Sequence, residues 1–320
     1  MLTREIIQRV RQIQIRTGRQ VADVLGGKYI SAFKGTGVEF DEVRPYIPGD
    51  DVRMIDWNVT ARTGSPFVKR YVEERQLTVM LMIDISASQD FGSASRSKRE
   101  VTAELCALLA FSAIKNDDKV GLTLFHGGIE HYIPPRKGQK HVLRVIRQIL
   151  AHGYDRTGFP NDTKGLKAIA WPWRKRSVIR SPRGATHIAG AMDFLMQSST
   201  RKTVCFVVSD FFDENYNRSI RTANRKHDII AVHIVDPHEQ QIPDVGLITL
   251  TDPESGRNGL FDTGSKHFRK TFDELSRQRH ERLEKTFRSG GIDFISINTT
   301  KPVVDPLVRF FRMRGQRMHR

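Results

Sequence analysis

Five oxygen-bearing side chains set out the chemistry open to this sequence. Asp84-Ile-Ser86-Ala-Ser88 follows the apolar run Leu77–Ile83, Thr186 stands just before a helical stretch, and Asp210 closes a second β-branched run, Val204–Val208. Two carboxylates and three hydroxyls suit a hard divalent cation, Mg²⁺ or else Mn²⁺ or Ca²⁺. Such ions take oxygen ligands and need neither thiolate nor imidazole. Mg²⁺ retains waters in its octahedral shell, so these groups suffice, some of them acting through water. Hydroxyls bring no charge. A cation held mainly by serine and threonine therefore stays under-neutralised and attracts a carboxylate from outside, an Asp or Glu of an acidic protein surface.

The elements that must position these groups are legible in the hydrophobic pattern. Leu77–Ile83 is apolar except for Thr78, as a central parallel strand buried on both faces would be. Ser97 and Glu100 form a capping-box pattern ahead of Val101, Leu105, Leu108 and Leu109 at helical spacing. Further strands are expected at Val120–Phe125, Glu130–Ile133, Val204–Val208, Ile229–Val235 and Ile292–Ile297, with helices at His141–Leu150, Ile188–Met196 and Lys266–Arg288. In the last of these, Phe268, Phe272, Leu275 and Leu283 are the expected buried positions. Leu247–Leu250 and Leu260–Phe261 read as a hairpin. Alternating strands and helices predict an α/β fold, a doubly wound, mostly parallel sheet with helices on both faces. In such a fold ligands sit beyond the carboxyl ends of the strands, where Asp84 and Asp210 fall.

The expected organisation has three parts: a helix and β-rich annex over 1–76, the α/β domain over 77–300 and a basic tail over 301–320. Residues 153–183 break the rhythm and read as a long loop or insertion. In the annex, Trp57 is expected as a core anchor. Arg44, Arg53 and Arg62 are expected to pair with Asp41, Asp51, Asp56 or Glu73 and so hold the annex on the sheet.

Composition excludes several classes. The 320 residues carry 52 Lys and Arg against 36 Asp and Glu, a net charge of +16. With 28% charged residues, no apolar run approaches the roughly 18–20 residues of a membrane span. The N-terminal arginines lack the apolar stretch of a secretory signal, which leads us to expect a cytoplasmic protein. Two cysteines, Cys106 and Cys205, are too few for a disulfide scaffold and read as small buried hydrophobes.

The charge leaves a basic nucleic-acid-binding protein as the alternative reading, though no zinc-finger or RRM signature accompanies it. A Mg²⁺-dependent phosphohydrolase is the enzyme rival. It would need a second acid two residues after Asp84, where this chain has Ser86. Gly26-Gly27-Lys28-Tyr29 is not a Walker A loop, no G-x-S-x-G elbow occurs, and His280-Glu281 lacks the second histidine of a zinc protease. No catalytic residue is assigned, and the protein is expected not to be an enzyme.

The pattern Asp84-x-Ser86-x-Ser88 with Thr186 and Asp210 resembles the metal-ion-dependent adhesion site of the von Willebrand factor type A fold. The annex sharpens this. The run from Gly37 through Arg44-Pro-Tyr46-Ile-Pro-Gly49-Asp-Asp-Val-Arg53 to Asp56-Trp57 resembles the signature of the family catalogued as domain-of-unknown-function fifty-eight. So do Ala61-Arg62-Thr-Gly64 and Glu73-Glu74-Arg75. The resemblance spans about residues 20–300. It implies a cytoplasmic or membrane-linked partner of MoxR-type AAA+ ATPases, in systems that mature or remodel protein complexes. His187 stands where such proteins often place an acidic residue.

Overall fold

The computed structural model describes residues 29, 32–33, 38–73, 76–93, 96–154, 186–251 and 257–318. The expected N-terminal helix, most of the 153–183 insertion and the basic run within it lie outside these residues.

Strands β1 (Val38–Pro45) and β2 (Phe67–Glu73) form an antiparallel pair, joined through a short helix α1 (Trp57–Thr63). Asp56 caps α1 by accepting from the Asn58 and Val59 amides, and Gly64 ends it at φ 74°, a conformation natural to glycine. Two expectations for this annex fail. Trp57 is 69% exposed, so it anchors no core. The expected internal lattice forms, but from other pairs: Arg44 grips Asp50 at 2.7 and 2.8 Å, Lys69 meets Asp56 at 3.4 Å and Arg70 meets Glu42 at 3.1 Å. Among the described residues none reaches the sheet.

The main sheet has six strands: β3 (Thr78–Asp84), β4 (Lys119–Phe125), β5 (Ile129–Arg136), β6 (Val204–Ser209), β7 (Asp228–Val235) and β10 (Asp293–Asn298). Their spatial order is β10-β7-β6-β3-β4-β5, parallel except for the edge strand β5. A separate hairpin pairs β8 (Leu247–Thr251) with β9 (Asn258–Asp262).

Side chains alternate across the sheet. Val79, Leu81 and Ile83 of β3 enter one core with Val204, Phe206 and Val208 of β6, while Met80, Met82, Cys205 and Val207 enter the other. The first core is covered by α2 (Lys98–Lys115), α3 (Gln139–Tyr154) and α8 (Val304–Met318). The second is covered by α4 (Ile188–Ser198), α5 (Asn217–Lys226) and α7 (Lys266–Ser289). A sheet buried on both faces explains the near-continuous apolar strands.

Residues 301–320, expected as a basic tail, instead supply α8, whose Leu307, Phe310 and Phe311 are buried. Arginines alternate there with an apolar face at helical spacing, so the charge masked a core element. In α7 the buried residues are Leu283 and Phe287, and Leu275 is 61% exposed, against expectation. A one-turn helix, α6 (Pro237–Gln240), follows β7. No helix among the described residues is long and apolar enough to cross a membrane.

Candidate functional site

The chain runs from β3 outward through β4 to β5, then returns to the other side of β3 as β6. The switch in strand order therefore falls between β3 and β6, and the crevice beyond their carboxyl ends is where this fold places ligands. The parallel register pairs Ile83 with Val208. That sets Ser209 beside Asp84 and carries Asp210 one residue past the strand. Asp84 and Asp210 are buried, at 2% and 0% exposure.

Asp84 organises its own loop. Its Oδ1 accepts from the Ser86 amide at 2.9 Å, turning the chain into a 3₁₀ segment, Ala87–Asp90. Ser86 Oγ and Ser88 Oγ then lie 3.0 Å apart, both buried. Asp84 Oδ2 accepts from Ser209 Oγ at 2.6 Å and from Thr186 Oγ1 at 3.2 Å. The chain just after Thr186 is anchored twice: the His187 amide donates to the His126 carbonyl at 2.7 Å, and the Ile188 amide donates to Asp213 Oδ2 at 2.7 Å. The sequence-predicted residues Asp84, Ser86, Ser88 and Thr186 are thus joined by hydrogen bonds in one cluster, and Asp210 stands close enough for its charge to act on Asp84. Burial, and then the neighbouring Asp210 charge, push the Asp84 carboxyl up from the ordinary carboxylate range.

Asp210 differs from Asp84 in having no hydrogen bond to either carboxylate oxygen among the described residues. A buried carboxylate without hydrogen bonds is costly and needs a nearby cation; among the described residues Lys98 Nζ, 3.9 Å from Oδ2, supplies one at long range. Its backbone is fixed, because Arg279 Nη2 donates to the Asp210 carbonyl at 2.8 Å while the guanidinium stacks 3.4 Å from the Phe212 ring centre. Among the described residues no group of three or more His, Cys, Asp or Glu side chains gathers as for a metal. An ion here would have to draw on hydroxyls. The residues fit that requirement: Asp84 in one cluster with Ser86, Ser88 and Thr186, and within electrostatic reach of it a second carboxylate, Asp210, that accepts no hydrogen bond.

Three neighbours escaped the sequence reading. Ser209 precedes Asp210, and the strand register alone could have revealed it. Lys98, the first residue of α2, is fully buried, with Nζ 3.9 Å from Asp210 Oδ2 and in ion-pair contact with Glu239 of α6. Asp236 ends β7 as a third buried aspartate on this rim, but the Ser93 amide, the His238 amide and Thr299 Oγ1 all donate to it. Asp236 is therefore a loop clasp, fully satisfied by its donors.

Fold and site together define an α/β protein whose functional rim collects carboxylates and hydroxyls at the sheet's switch point. Residues 42–282 match the family described as protein of unknown function DUF58, and the chain belongs to that family. It is similar to the uncharacterized protein Rv1480 of Mycobacterium tuberculosis, at 28% identity over 306 residues, covering 95% of this chain and 88% of the relative. Among solved structures it is similar to the conserved hypothetical protein BatB from Bacteroides thetaiotaomicron, with a TM-score of 0.42, 14% identity and coverage of 75% of this chain and 99% of that one. A second likeness is to the SpRpn10 VWA domain, with a TM-score of 0.37, 10% identity and coverage of 72% and 94%.

Proposed function

We propose that this chain is a non-enzymatic, divalent-metal-dependent protein-binding module. Asp84, Ser86, Ser88, Thr186 and Asp210 would hold the ion, and a partner's carboxylate would complete its shell. The observation that carries this reading is Asp210: a fully buried carboxylate, without hydrogen bonds, whose charge acts on Asp84 and so on the cluster holding three buried hydroxyls. Mg²⁺ is the proposed ion, with Mn²⁺ and Ca²⁺ as substitutes of the same hard, oxygen-seeking class. When bound, it supplies a Lewis-acidic position for an incoming Asp or Glu. The chain's own part is to shape the cradle. Ser209 and the Ser86 amide orient Asp84, Arg279 fixes the backbone at Asp210, and the two anchors just after Thr186 fix the chain there.

The family resemblance supports a MoxR-type AAA+ ATPase as the cooperating partner, in the cytoplasm, during maturation or remodelling of protein complexes. Two measurements test the proposal. In calorimetry, Mn²⁺ binds the wild type and fails to bind Asp210→Ala. In a pull-down with a MoxR-type ATPase, capture occurs in Mg²⁺ and is lost in EDTA or with Asp84→Ala, while circular dichroism stays unchanged. Metal-independent capture, or phosphatase activity on generic substrates that needs Asp84, overturns it.

A further inference from the structure

The metal reading leaves Lys98 unexplained. Its side chain is completely buried, Nζ lies 3.9 Å from Asp210 Oδ2, and on its other side it contacts Glu239 Oε1. Helix stability does not account for this placement. Ser97 is the N-cap of α2 and Lys98 its first residue, where the helix dipole disfavours a cation. Nor does solvation, since a lysine loses its hydration when fully enclosed. Glu239 is itself committed. It sits in α6, its Oε2 accepts from the Asp236 amide at 3.1 Å, and its side chain remains 30% exposed. The ammonium is therefore suspended between an anchored, half-wet carboxylate and a buried one that lacks hydrogen bonds.

We infer that Lys98 is the resident cation of the site: its ammonium shares Asp210 with the divalent ion and holds the ion's affinity down, and Glu239 is the counter-charge that draws it aside. This rests on the metal-binding reading and assigns the residue that tunes it. A unit charge about 4 Å from a ligand oxygen competes directly with an incoming cation in a site shielded from water. An ion bound next to Lys98 is consequently exchangeable, and its retention depends on the extra carboxylate a partner brings. The two groups are positioning residues, acting on the ion through Asp210.

The test is Mn²⁺ calorimetry on the full chain at one pH. Lys98→Met, which keeps the length and deletes the charge, tightens Mn²⁺ by about tenfold or more. Lys98→Arg, which keeps the charge, stays within about threefold of wild type, which separates charge from packing. Glu239→Gln leaves the ammonium to Asp210 alone and weakens Mn²⁺ by about threefold or more. If the wild type takes up Mn²⁺ and Lys98→Met binds it no tighter, the inference is wrong. Should Lys98→Met lose its circular dichroism signature, Glu239→Gln decides: unchanged affinity overturns the inference and weakened affinity supports it. No Mn²⁺ uptake by the wild type or any variant would remove the metal reading itself, and this inference with it.

Discussion

At the scale of single residues, Asp210 and Asp118 are both buried aspartates with opposite surroundings. Asp210 has no hydrogen bond to its carboxylate, and its ion-pair partner among the described residues, Lys98 Nζ, stands 3.9 Å away. In metal-free buffer Asp210→Asn should change stability by no more than about 1 kcal/mol, because the relief of an unbonded carboxylate is offset by the weaker pairing of Lys98, which keeps Glu239. Saturating Mg²⁺ should raise the wild-type melting temperature and leave the variant's where it was. A stabilisation of about 2.7 kcal/mol is expected at a hundredfold excess over Kd.

Asp118 accepts from the Leu77 amide at 2.8 Å and from the Tyr29 hydroxyl at 3.1 Å, yet burial still pushes its carboxyl up to about 6. The native chain then holds this proton while the unfolded chain has released it. Stability from this group is present below the ordinary carboxylate range and falls as pH rises toward 6, by on the order of 2 kcal/mol. Relative to Asp118→Asn, the wild type should therefore lose ground between pH 4 and pH 7 in urea unfolding. A parallel pH dependence of the two would contradict the assignment.

Elements carry a different set of consequences. Gly121 in β4 has no room for a methyl group: a Cβ there would lie 2.9 Å from Met80 Cε and 3.1 Å from the Ile133 carbonyl oxygen. Gly121→Ala should cost about 1–3 kcal/mol in chemical unfolding. Phe311 of α8 is fully buried and Trp57 of α1 is 69% exposed. Phe311→Ala should cost about 3–5 kcal/mol, and Trp57→Ala should stay within about 0.5 kcal/mol. That contrast reverses what their sequence contexts suggest.

The strands that carry Asp84 and Asp210 were legible because a strand buried on both faces needs an unbroken apolar run. Thr186 was legible from its place ahead of a helix. Lys98 was not, since a lysine in a first helical turn reads as solvated, and its acidic partners, Asp210 and Glu239, stand far along the chain. Nor was α8, whose arginines hide an apolar face. Trp57 misled for the converse reason: a large aromatic beside turn residues reads as an anchor, and only the folded annex reveals that its ring faces water.

For the whole molecule the question is where the surplus of positive charge goes. Some cations are internal and already balanced by acids, so the surplus lies on others. Arg314 of α8 donates to the Ala32 carbonyl at 3.0 Å and to Asp293 at 2.8 Å and also pairs with Asp228, stapling the amino ends of β7 and β10. Arg317 adds a second contact to Asp293 at 2.9 Å. Cations committed in this way cannot release counterions from a phosphate backbone. With no nucleic-acid-binding signature beside the charge, we expect only non-specific oligonucleotide binding, no tighter than about 10⁻⁶ M at physiological salt. A nanomolar affinity with a steep salt slope in a fluorescence titration would favour the nucleic-acid alternative.

The crevice joins strands whose ends are far apart in the chain: Ser209 and Asp84, in contact at 2.6 Å, are separated by 125 positions. No short stretch of the polypeptide contains both halves. On the proposed reading, an ion lodged there certifies that the central strands have come together in the right order. A partner that docks through that ion would pass over unfinished or misassembled copies, giving the protein a built-in quality check on its own folding.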